Sequence, residues 1–179
     1  GKVDFTNDIN EFNFTANIRN ANLYRLNIDK SDTTHSVSFL IKANAQGNSL
    51  DNLNGEINLL NSLCTKKDKQ IQIYDFSLKA KNNNTSNSLI IRSDFIDANL
   101  TGNYQVNKIN KSLTKFLNSY IPALVNFEYS SLEDFKNGFH LNIRFKETKP
   151  IFDYFFPDYF IAENSIFEGE FNPEKNHLL

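Results

Sequence analysis

The side chains that most often perform catalysis or bind metal ions are few in this chain, and they lie far apart. The three histidines are His35, His140 and His177, and the single cysteine is Cys64. Structural zinc sites use four such ligands at regular short spacings, and the sequence contains neither a His-x-x-x-His nor a paired-cysteine spacing. It therefore predicts no metal site and no cofactor.

Two pairs of aspartates are the remaining candidates for chemistry. Asp94 and Asp97 flank a strand junction, where a pair of carboxylates would suit sugar hydrolysis; two solvated carboxylates are the alternative interpretation. Asp29 and Asp32 offer oxygen ligands for calcium, but they lack the spacing of a dedicated calcium loop, which favours a polar turn. Glycine-rich phosphate loops and Gly-x-Ser-x-Gly motifs are absent from the sequence. We therefore expect that the protein is not an enzyme.

The composition favours a folded protein with much apolar surface to place. The 179 residues include 17 Phe and 7 Tyr, and the formal net charge is −2. Phenylalanine has no polar group, so these rings must lie in a core or face an apolar partner. The charge lacks the basic character of a nucleic-acid-binding protein. Because the chain has no Met and begins at Gly1, we interpret it as an internal section of a longer protein.

Most of the chain alternates apolar and polar residues, which is typical of strands with one apolar face. The pattern predicts nine or ten strands, including segments at 24–28, 96–106 and 161–171. A phase change at Tyr74–Asp75 predicts a β-bulge. Gly55, Gly102 and Gly169 lie in similar pentapeptides within three of the strands. A glycine in a strand indicates a bend or a close backbone approach, and chance recurrence is the alternative.

A helical period replaces this alternation in two or three short segments. Residues 108–122 place lysines on one face of a helix. We expect this helix to cover the sheet, and the alternative is that it lies on a membrane surface. Thr148 and Pro150 predict a further short helix near 149–156, and Ser130 with Glu133 predicts another. The apolar residues of the predicted lid helix are Ile109, Leu113, Phe116, Leu117 and Tyr120.

Together these elements predict a mainly β fold. We expect a long curved sheet, U-shaped like a taco, whose amphipathic strands leave an apolar face that the short helices partly cover. The predicted division is a β-groove section at 1–107, the lid helix at 108–122, and a second β-groove section at 123–179. The alternative fold is a closed β-sandwich that serves as a binding or adhesion module on the cell surface. The residues predicted to line the groove are Val37, Phe39, Ile41, Ile57, Leu59, Ile71, Ile73, Leu89, Ile91, Ala98, Leu100, Tyr104, Leu141 and Ile143.

Several segments, taken in order, resemble a known family. Ala21–Asp29 (ANLYRLNID), Ser36–Asn44 (SVSFLIKAN) and Leu50–Ile57 (LDNLNGEI) are similar to repeat segments of the TamB translocation and assembly module family of Bacteroidetes. This family belongs with the AsmA-like, bridge-like lipid-transfer proteins. The same pattern continues in Gln72–Leu78, Ser93–Tyr104, Lys115–Pro122 and Phe155–Pro157.

The resemblance implies a location and a function. A full-length protein of this kind is anchored in the inner membrane and crosses the periplasm as one apolar β groove. It conducts phospholipid toward the outer membrane, or assists an Omp85-family outer-membrane barrel through regions outside this section. The groove would hold acyl chains by nonspecific apolar burial, so we expect no single specificity residue. Strand edges exposed at the ends of such a section invite pairing between copies in a crystal.

Overall fold

The chain folds into one antiparallel sheet, which confirms the predicted mainly β class. A computed structural model describes residues 1–83, 86–106, 109, 138–172 and 177–178. Ten strands follow one another in space in the order in which they occur in the sequence, and the sheet does not close into a barrel. The elements are β1 (Lys2–Asp4), β2 (Glu11–Asn22), β3 (Ser36–Gln46), β4 (Asn54–Lys66), β5 (Lys69–Lys81), β6 (Asn87–Ser93), β7 (Ile96–Asn103), β8 (Gly138–Phe145), helix α1 (Lys149–Phe155), β9 (Ile166–Asn172) and β10 (His177–Leu178).

The strand lengths make the sheet longer at one end. β4 and β5 each have 13 residues, whereas β6 has 7 and β7 has 8. β5 pairs with β6 only through Phe76–Lys81, so its first half extends beyond the shorter strands. β7 pairs directly with β8, and the described parts of the two predicted groove sections therefore belong to one sheet.

The strand register brings the apolar residues of neighbouring strands onto a common face. Residues paired across an antiparallel ladder point to the same side of the sheet. One continuous row of paired residues crosses eight strands, from β2 to β9, and every member is apolar. The row is Phe14, Ala43, Ile57, Leu78, Ile91, Ala98, Ile143 and Phe167.

Two asparagines interrupt the register on either side of β3. The β2–β3 pairing shifts between Ile18 and Ala21, where Asn20 has a φ of 50°. The β3–β4 pairing shifts between Ser38 and Leu40, opposite Asn61 with a φ of 49°. Asparagine tolerates this left-handed conformation better than most residues because its short side chain bonds locally. Each extra residue resets the alternation, so the apolar face continues along the same strand.

The predicted bulge at Tyr74–Asp75 lies one strand away from the observed register shift. The phase of β5 does change there, but the β4–β5 register stays constant from Leu60↔Asp75 to Ser62↔Ile73. β5 follows the phase that β4 acquires at Asn61. The register shift lies in the pairing of β3 with β4. A phase change in the sequence of one strand does not show which pair of strands carries the extra residue.

The predicted strand at Tyr24–Ile28 is wrong. This segment forms successive turns, in which the Leu26 N–H donates to the Asn22 carbonyl and the Ile28 N–H donates to the Leu23 carbonyl. Asn27 has a φ of 59°, which ends any extended run. The alternation of Tyr24, Leu26 and Ile28 therefore does not correspond to a strand.

Two strands are shorter than predicted, and one helix lies where it was predicted. β7 ends at Asn103 rather than at residue 106, and β9 begins at Ile166 rather than at residue 161. Helix α1 confirms the predicted helix near 149–156, with a proline in its first turn. The predicted helices at 108–122, except Ile109, and at 130–133 lie outside the described residues. In the described part of the chain, no helix combines the length and the hydropathy needed to cross a membrane.

Candidate functional site: the apolar face of the sheet

The pairing of the strands defines one apolar side of the sheet, which we call the inner face. All the predicted groove-lining residues on strands lie on this face. Residues that pair across neighbouring strands point to the same side of the sheet, and the pairings place these residues on one side. Tyr104 follows β7 and packs against Leu100 and Phe139 at one end of this face. The sequence prediction did not name several further inner-face residues: Phe12, Phe14, Ala16, Ile18, Cys64, Phe76, Leu78 and Phe139.

Most residues in the middle of the inner face are only half-buried, with Ala43 as a buried exception at 6% exposure. Ile41, Leu59, Ile91, Ala98 and Ile143 all retain intermediate exposure to solvent. Among the described residues, no side chain falls below 2% exposure, although a close-packed core normally contains several such side chains. Every described strand belongs to the one sheet, so no second sheet of the described residues covers this face. The predicted β-sandwich alternative requires such a second layer.

One end of the inner face, the glycine end, is closed by apolar packing. It comprises the strand ends around Ala45, Gly55, Ala80, Leu89 and Gly102. Two clusters of buried residues lie here. The first contains Ala45, Leu53 and Ala80, and the second contains Leu100, Tyr104 and Phe139 with Val106 and Ile109 packed against it.

Tyr104 and Asp51 connect the loops that close the glycine end. Burial, with a smaller contribution from the negative charge of Asp51, raises the pKa of Tyr104 to about 12. The Asp51 carboxylate accepts a hydrogen bond from the Val106 N–H. Its backbone carbonyl accepts another from the Asn82 side chain. Three loops are thereby joined over the strand ends.

Gly55 and Gly102 permit a close approach of neighbouring strands, as the sequence predicted. Their φ angles are 128° and 130°, values that residues with a side chain rarely adopt. A Cβ atom on Gly55 would lie 2.2 Å from the carbonyl oxygen of Asn44, and one on Gly102 would lie 2.3 Å from that of Gly138. The third glycine, Gly169, lies opposite Leu141 in the β8–β9 ladder.

Helix α1 lies at the opposite end, the helix end, which comprises α1, the β4–β5 turn and the loop between β2 and β3. The Lys69 ammonium donates a hydrogen bond of 3.0 Å to the Asp153 carbonyl. Tyr154 lies near enough to Cys64 for the charge of the thiolate to raise the pKa of the phenol, although burial raises it more. Helix α1 packs against β5 at this end, where Ile71 pairs with Cys64 on the inner face and is only 3% exposed.

The aromatic residues at the end of α1 and just after it are exposed. Phe155 is 48% exposed, Phe156 54%, Tyr159 70% and Phe160 77%. The apolar residues of this segment are therefore only partly packed, because Ile151 and Phe152 are half-buried whereas Phe155 and Phe156 are exposed. Thr148 occupies the N-cap position but does not cap the helix, because its hydroxyl donates to the Ile161 carbonyl at 2.8 Å.

The residues singled out for chemistry have structural partners. Asp94 accepts hydrogen bonds from the backbone N–H groups of Tyr74 and Asp75, where β5 extends past β6. The Asp97 carboxylate lies 2.7 Å from the Lys146 ammonium. These two aspartates thus make separate contacts, each with a different part of the sheet edge.

The polar segment between β2 and β3 is a set of turns held by ion pairs. The Asp29 carboxylate lies 2.7 Å from His35 Nδ1 and 3.5 Å from Lys66 Nζ. The hydrogen bond with His35, followed by those from Ser31, holds the pKa of Asp29 well below its ordinary value. In the described part of the chain, no three His, Cys, Asp or Glu side chains are grouped closely enough to hold a metal ion.

His140 lies on the polar face of β8, where its Nε2 atom is 3.4 Å from the Glu168 carboxylate. The same face carries a Glu56–Lys79 ion pair of 3.2 Å. The two sides of the sheet are therefore chemically distinct, with charged pairs on one and apolar rows on the other. No family model, curated protein or solved structure matches the chain significantly.

Proposed function

We propose that this chain is a section of a lipid-transfer protein, in which the inner face holds the acyl chains of phospholipids. The observation that carries the proposal is the unbroken apolar row on an open sheet, from Phe14 on β2 to Phe167 on β9. Eight strands at a spacing of about 4.8 Å span about 34 Å. An extended acyl chain can lie within that length.

The exposure of the row supports this proposal, because six of its eight residues are half-buried, Phe167 is 45% exposed and only Ala43 is buried. An acyl chain laid on the inner face would remove apolar surface of both partners from water, at about 0.8 kcal/mol for each buried methylene. Such binding depends on area and not on one contact, so lipids can occupy successive positions along the row. The polar face, with its ion pairs, would remain in water while the lipid is carried.

The cellular setting follows the family resemblance. On this proposal the full-length protein is of the TamB and AsmA-like type, is anchored in the inner membrane and crosses the periplasm. Phospholipid moves along the groove toward the outer membrane, and an Omp85-family barrel is assisted by regions outside this section. The protein acts by binding and not by catalysis.

The competing function is a binding or adhesion module on the cell surface, in which the same residues form an ordinary core. The intermediate exposure of Ile91 and Ile143 favours a groove, since core residues in a sandwich are more fully buried. The two functions differ in one consequence. A groove takes up lipid while it is folded, and a filled core does not.

Ile91 and Ile90 provide a matched test, because they are identical neighbours on opposite faces of β6. Ile91 pairs with Leu78 and Ala98 on the inner face, whereas Ile90 pairs with Lys79 and Asn99 on the polar face. Both have intermediate exposure. We expect Ile91→Asn to reduce uptake of a fluorescent phospholipid by the folded chain and Ile90→Asn to leave it unchanged.

Circular dichroism and urea unfolding of both variants serve as the control that each is folded. Equal uptake by the two variants would show that lipid binding does not depend on the inner face. A folded wild-type chain that takes up no phospholipid would overturn the proposed function and favour the adhesion module.

A further inference from the structure

Two segments at the helix end expose large apolar side chains to solvent. The first is the turn segment Tyr24–Ile28, in which Leu26 is 56% exposed and Ile28 is 69% exposed. The second is Phe155–Phe160, whose four aromatic side chains are all exposed. Neither segment contributes to the apolar row. Exposed apolar side chains that are grouped on a folded protein indicate a surface that meets an apolar partner.

Both segments are tethered to the β4–β5 turn, Lys66–Lys69. The Lys66 ammonium lies 3.5 Å from the carboxylate of Asp29, which directly follows the first segment. The Lys69 ammonium donates a hydrogen bond of 3.0 Å to the carbonyl of Asp153, two residues before the second segment. The two apolar segments therefore lie beside the same turn, at one end of the sheet.

Backbone hydrogen bonds hold the two segments as compact turns beyond the strand ends. The Ile28 N–H donates to the Leu23 carbonyl at 2.9 Å, and the Tyr159 N–H donates to the Phe156 carbonyl at 2.9 Å. Exposed turns of this kind do not form the two walls of a groove, which a peptide or a helix needs for docking. They suit a fluid apolar layer, because such a layer adapts to the side chains that enter it.

The turn that joins the two segments is basic. Lys66–Lys69 carries three ammonium groups and one carboxylate, and its last three residues are exposed. Among the carboxylates beside the segments, Asp29 and Asp153 form ion pairs, whereas Asp158 and Glu163 are exposed. Apolar insertion must therefore supply most of the binding, and the lysines add attraction to phosphate groups. A second copy is disfavoured, because a two-fold interface would bring this basic turn close to its own copy.

We propose that the segments Tyr24–Ile28 and Phe155–Phe160, together with the Lys66–Lys69 turn, dock the chain on a phospholipid bilayer. We call these residues the loop surface. Their apolar side chains would enter the layer between the headgroups and the acyl chains, while the lysines lie at the level of the phosphates. The loop surface shares no residue with the apolar row, so docking goes beyond the proposed function and does not depend on it.

Flotation of the whole chain with vesicles tests the proposal. One set of vesicles contains phosphatidylcholine alone, and the other contains phosphatidylcholine mixed with anionic phosphatidylglycerol. We expect the chain to bind both sets, because the apolar side chains enter either bilayer. Binding to the mixed vesicles should be roughly tenfold tighter, because each lysine near an anionic surface adds to the attraction.

Tyr159→Ser combined with Phe160→Ser removes two strongly exposed aromatic side chains of the loop surface. This variant should bind both sets of vesicles about tenfold more weakly. The matched control is Tyr74→Ser combined with Phe5→Ser. These rings are 62% and 66% exposed, but Tyr74 lies on β5 and Phe5 lies at the glycine end. The control should bind as the wild-type chain does, and circular dichroism checks that both variants are folded.

The other two parts of the loop surface provide independent variants. Leu26→Ser combined with Ile28→Ser should weaken binding to both sets of vesicles, as the aromatic variant does. Lys67→Asn keeps the turn, because asparagine tolerates the φ of 55° at this position. It should weaken binding to the mixed vesicles about fivefold and leave binding to phosphatidylcholine unchanged. Lys81→Asn, which alters an exposed lysine at the end of β5, should bind both sets as the wild type does.

Three outcomes would overturn docking. The first is a wild-type chain that binds neither set of vesicles. The second is binding that survives both apolar double variants, which would indicate attraction by charge alone. The third is a stable dimer of the wild-type chain that Tyr159→Ser with Phe160→Ser abolishes, which would assign the loop surface to a second copy. Uptake of fluorescent phospholipid by the folded chain is measured separately, so either proposal can fail while the other stands.

Discussion

At the glycine end, Leu53, Tyr104 and Val106 close over the strand ends and leave apolar side chains buried against one another. At the helix end, α1 packs against β5 alone among the described strands, and Asp32, Ser62 and Tyr154 keep buried polar atoms that make no hydrogen bond. The first end resembles a small conventional core. The second is packed less completely, and the largely half-buried middle of the inner face joins the two.

The difference teaches that one apolar face can be divided between stability and function. Buried apolar contacts stabilise a fold without leaving room for a ligand. Exposed apolar surface and unpaired buried groups reduce stability, and a ligand can remove both costs. Substitutions at the glycine end should therefore affect mainly unfolding, and polar substitutions in the middle of the inner face should affect mainly lipid uptake.

The largest effect is expected for Gly55→Ala at the glycine end. The new Cβ atom would meet the Asn44 carbonyl oxygen and the Ala45 Cα atom in a backbone with a φ of 128°. Strain and steric overlap together should lower the free energy of unfolding by about 4 kcal/mol. Urea unfolding monitored by circular dichroism measures this. A loss below about 1 kcal/mol would mean that the strands need not approach as closely as they do.

Leu100→Ala and Ile91→Ala compare the glycine end with the middle of the same face. Leu100 is buried in the second cluster and Ile91 is half-buried. Truncation should cost about 3 kcal/mol at Leu100 and about 1 kcal/mol at Ile91, because a half-exposed side chain loses less transfer energy and leaves no closed cavity. Equal losses in urea unfolding would show that the middle is an ordinary core.

Asn61 offers a smaller test of how the apolar face is kept in phase. Its φ of 49° costs a residue with an ordinary side chain about 1 kcal/mol and costs glycine almost nothing. We therefore expect Asn61→Val to destabilise the chain by about 1 to 2 kcal/mol and Asn61→Gly to be nearly neutral. The same loss for both variants in thermal unfolding would indicate that the asparagine side chain, and not the backbone conformation, matters.

The smallest effect is the pH dependence contributed by Asp29 at the helix end. Because folding lowers the pKa of this carboxyl, its contribution is present above the unfolded value of about 3.9 and is lost as the pH falls through the folded value. Asp29→Asn should flatten the acid side of the stability profile. Urea midpoints measured from pH 5 downward test this, and an unchanged slope in the variant would contradict it.

Much of the fold can be predicted from the alternation of residue types. Val37, Phe39 and Ile41 share a face in the sequence pattern and in the structure, because the two-residue period of a strand leaves little choice. The same rule fails at Tyr24–Ile28, where hydrogen bonds to the Asn22 and Leu23 carbonyls compete successfully with extension. Local turn bonds of this kind are invisible to a periodicity.

The asparagines explain a second part of what sequence reasoning missed. Asn20, Asn27, Asn61 and Asn164 all adopt positive φ, so part of the unusual asparagine content serves backbone geometry. Asn61 resets the phase of β4, so the alternation of apolar and polar residues breaks after Leu60 although the strand continues to Lys66. A strand whose pattern changes phase looks like two shorter segments.

The contacts at the helix end could not be predicted, because the residues that make them are distant in sequence. The β4–β5 turn meets the β2–β3 loop through Lys67 and Thr34, and meets α1 through Lys69 and Asp153, and nothing in the spacing of these residues indicates this. The inner face is different, because the alternation of residues within each strand predicts which side of that strand is apolar. Local pattern thus predicts the apolar surface, and tertiary contacts determine what packs at its two ends.

The central claim is that the inner face carries lipid, and native mass spectrometry of the folded chain purified from cells tests it most directly. Organic extraction of the same sample identifies what is bound. The account predicts a distribution of co-purified phospholipids that disappears in Ile91→Asn and persists in Ile90→Asn. A clean mass of the unliganded chain, together with no uptake of added fluorescent phospholipid, would contradict it.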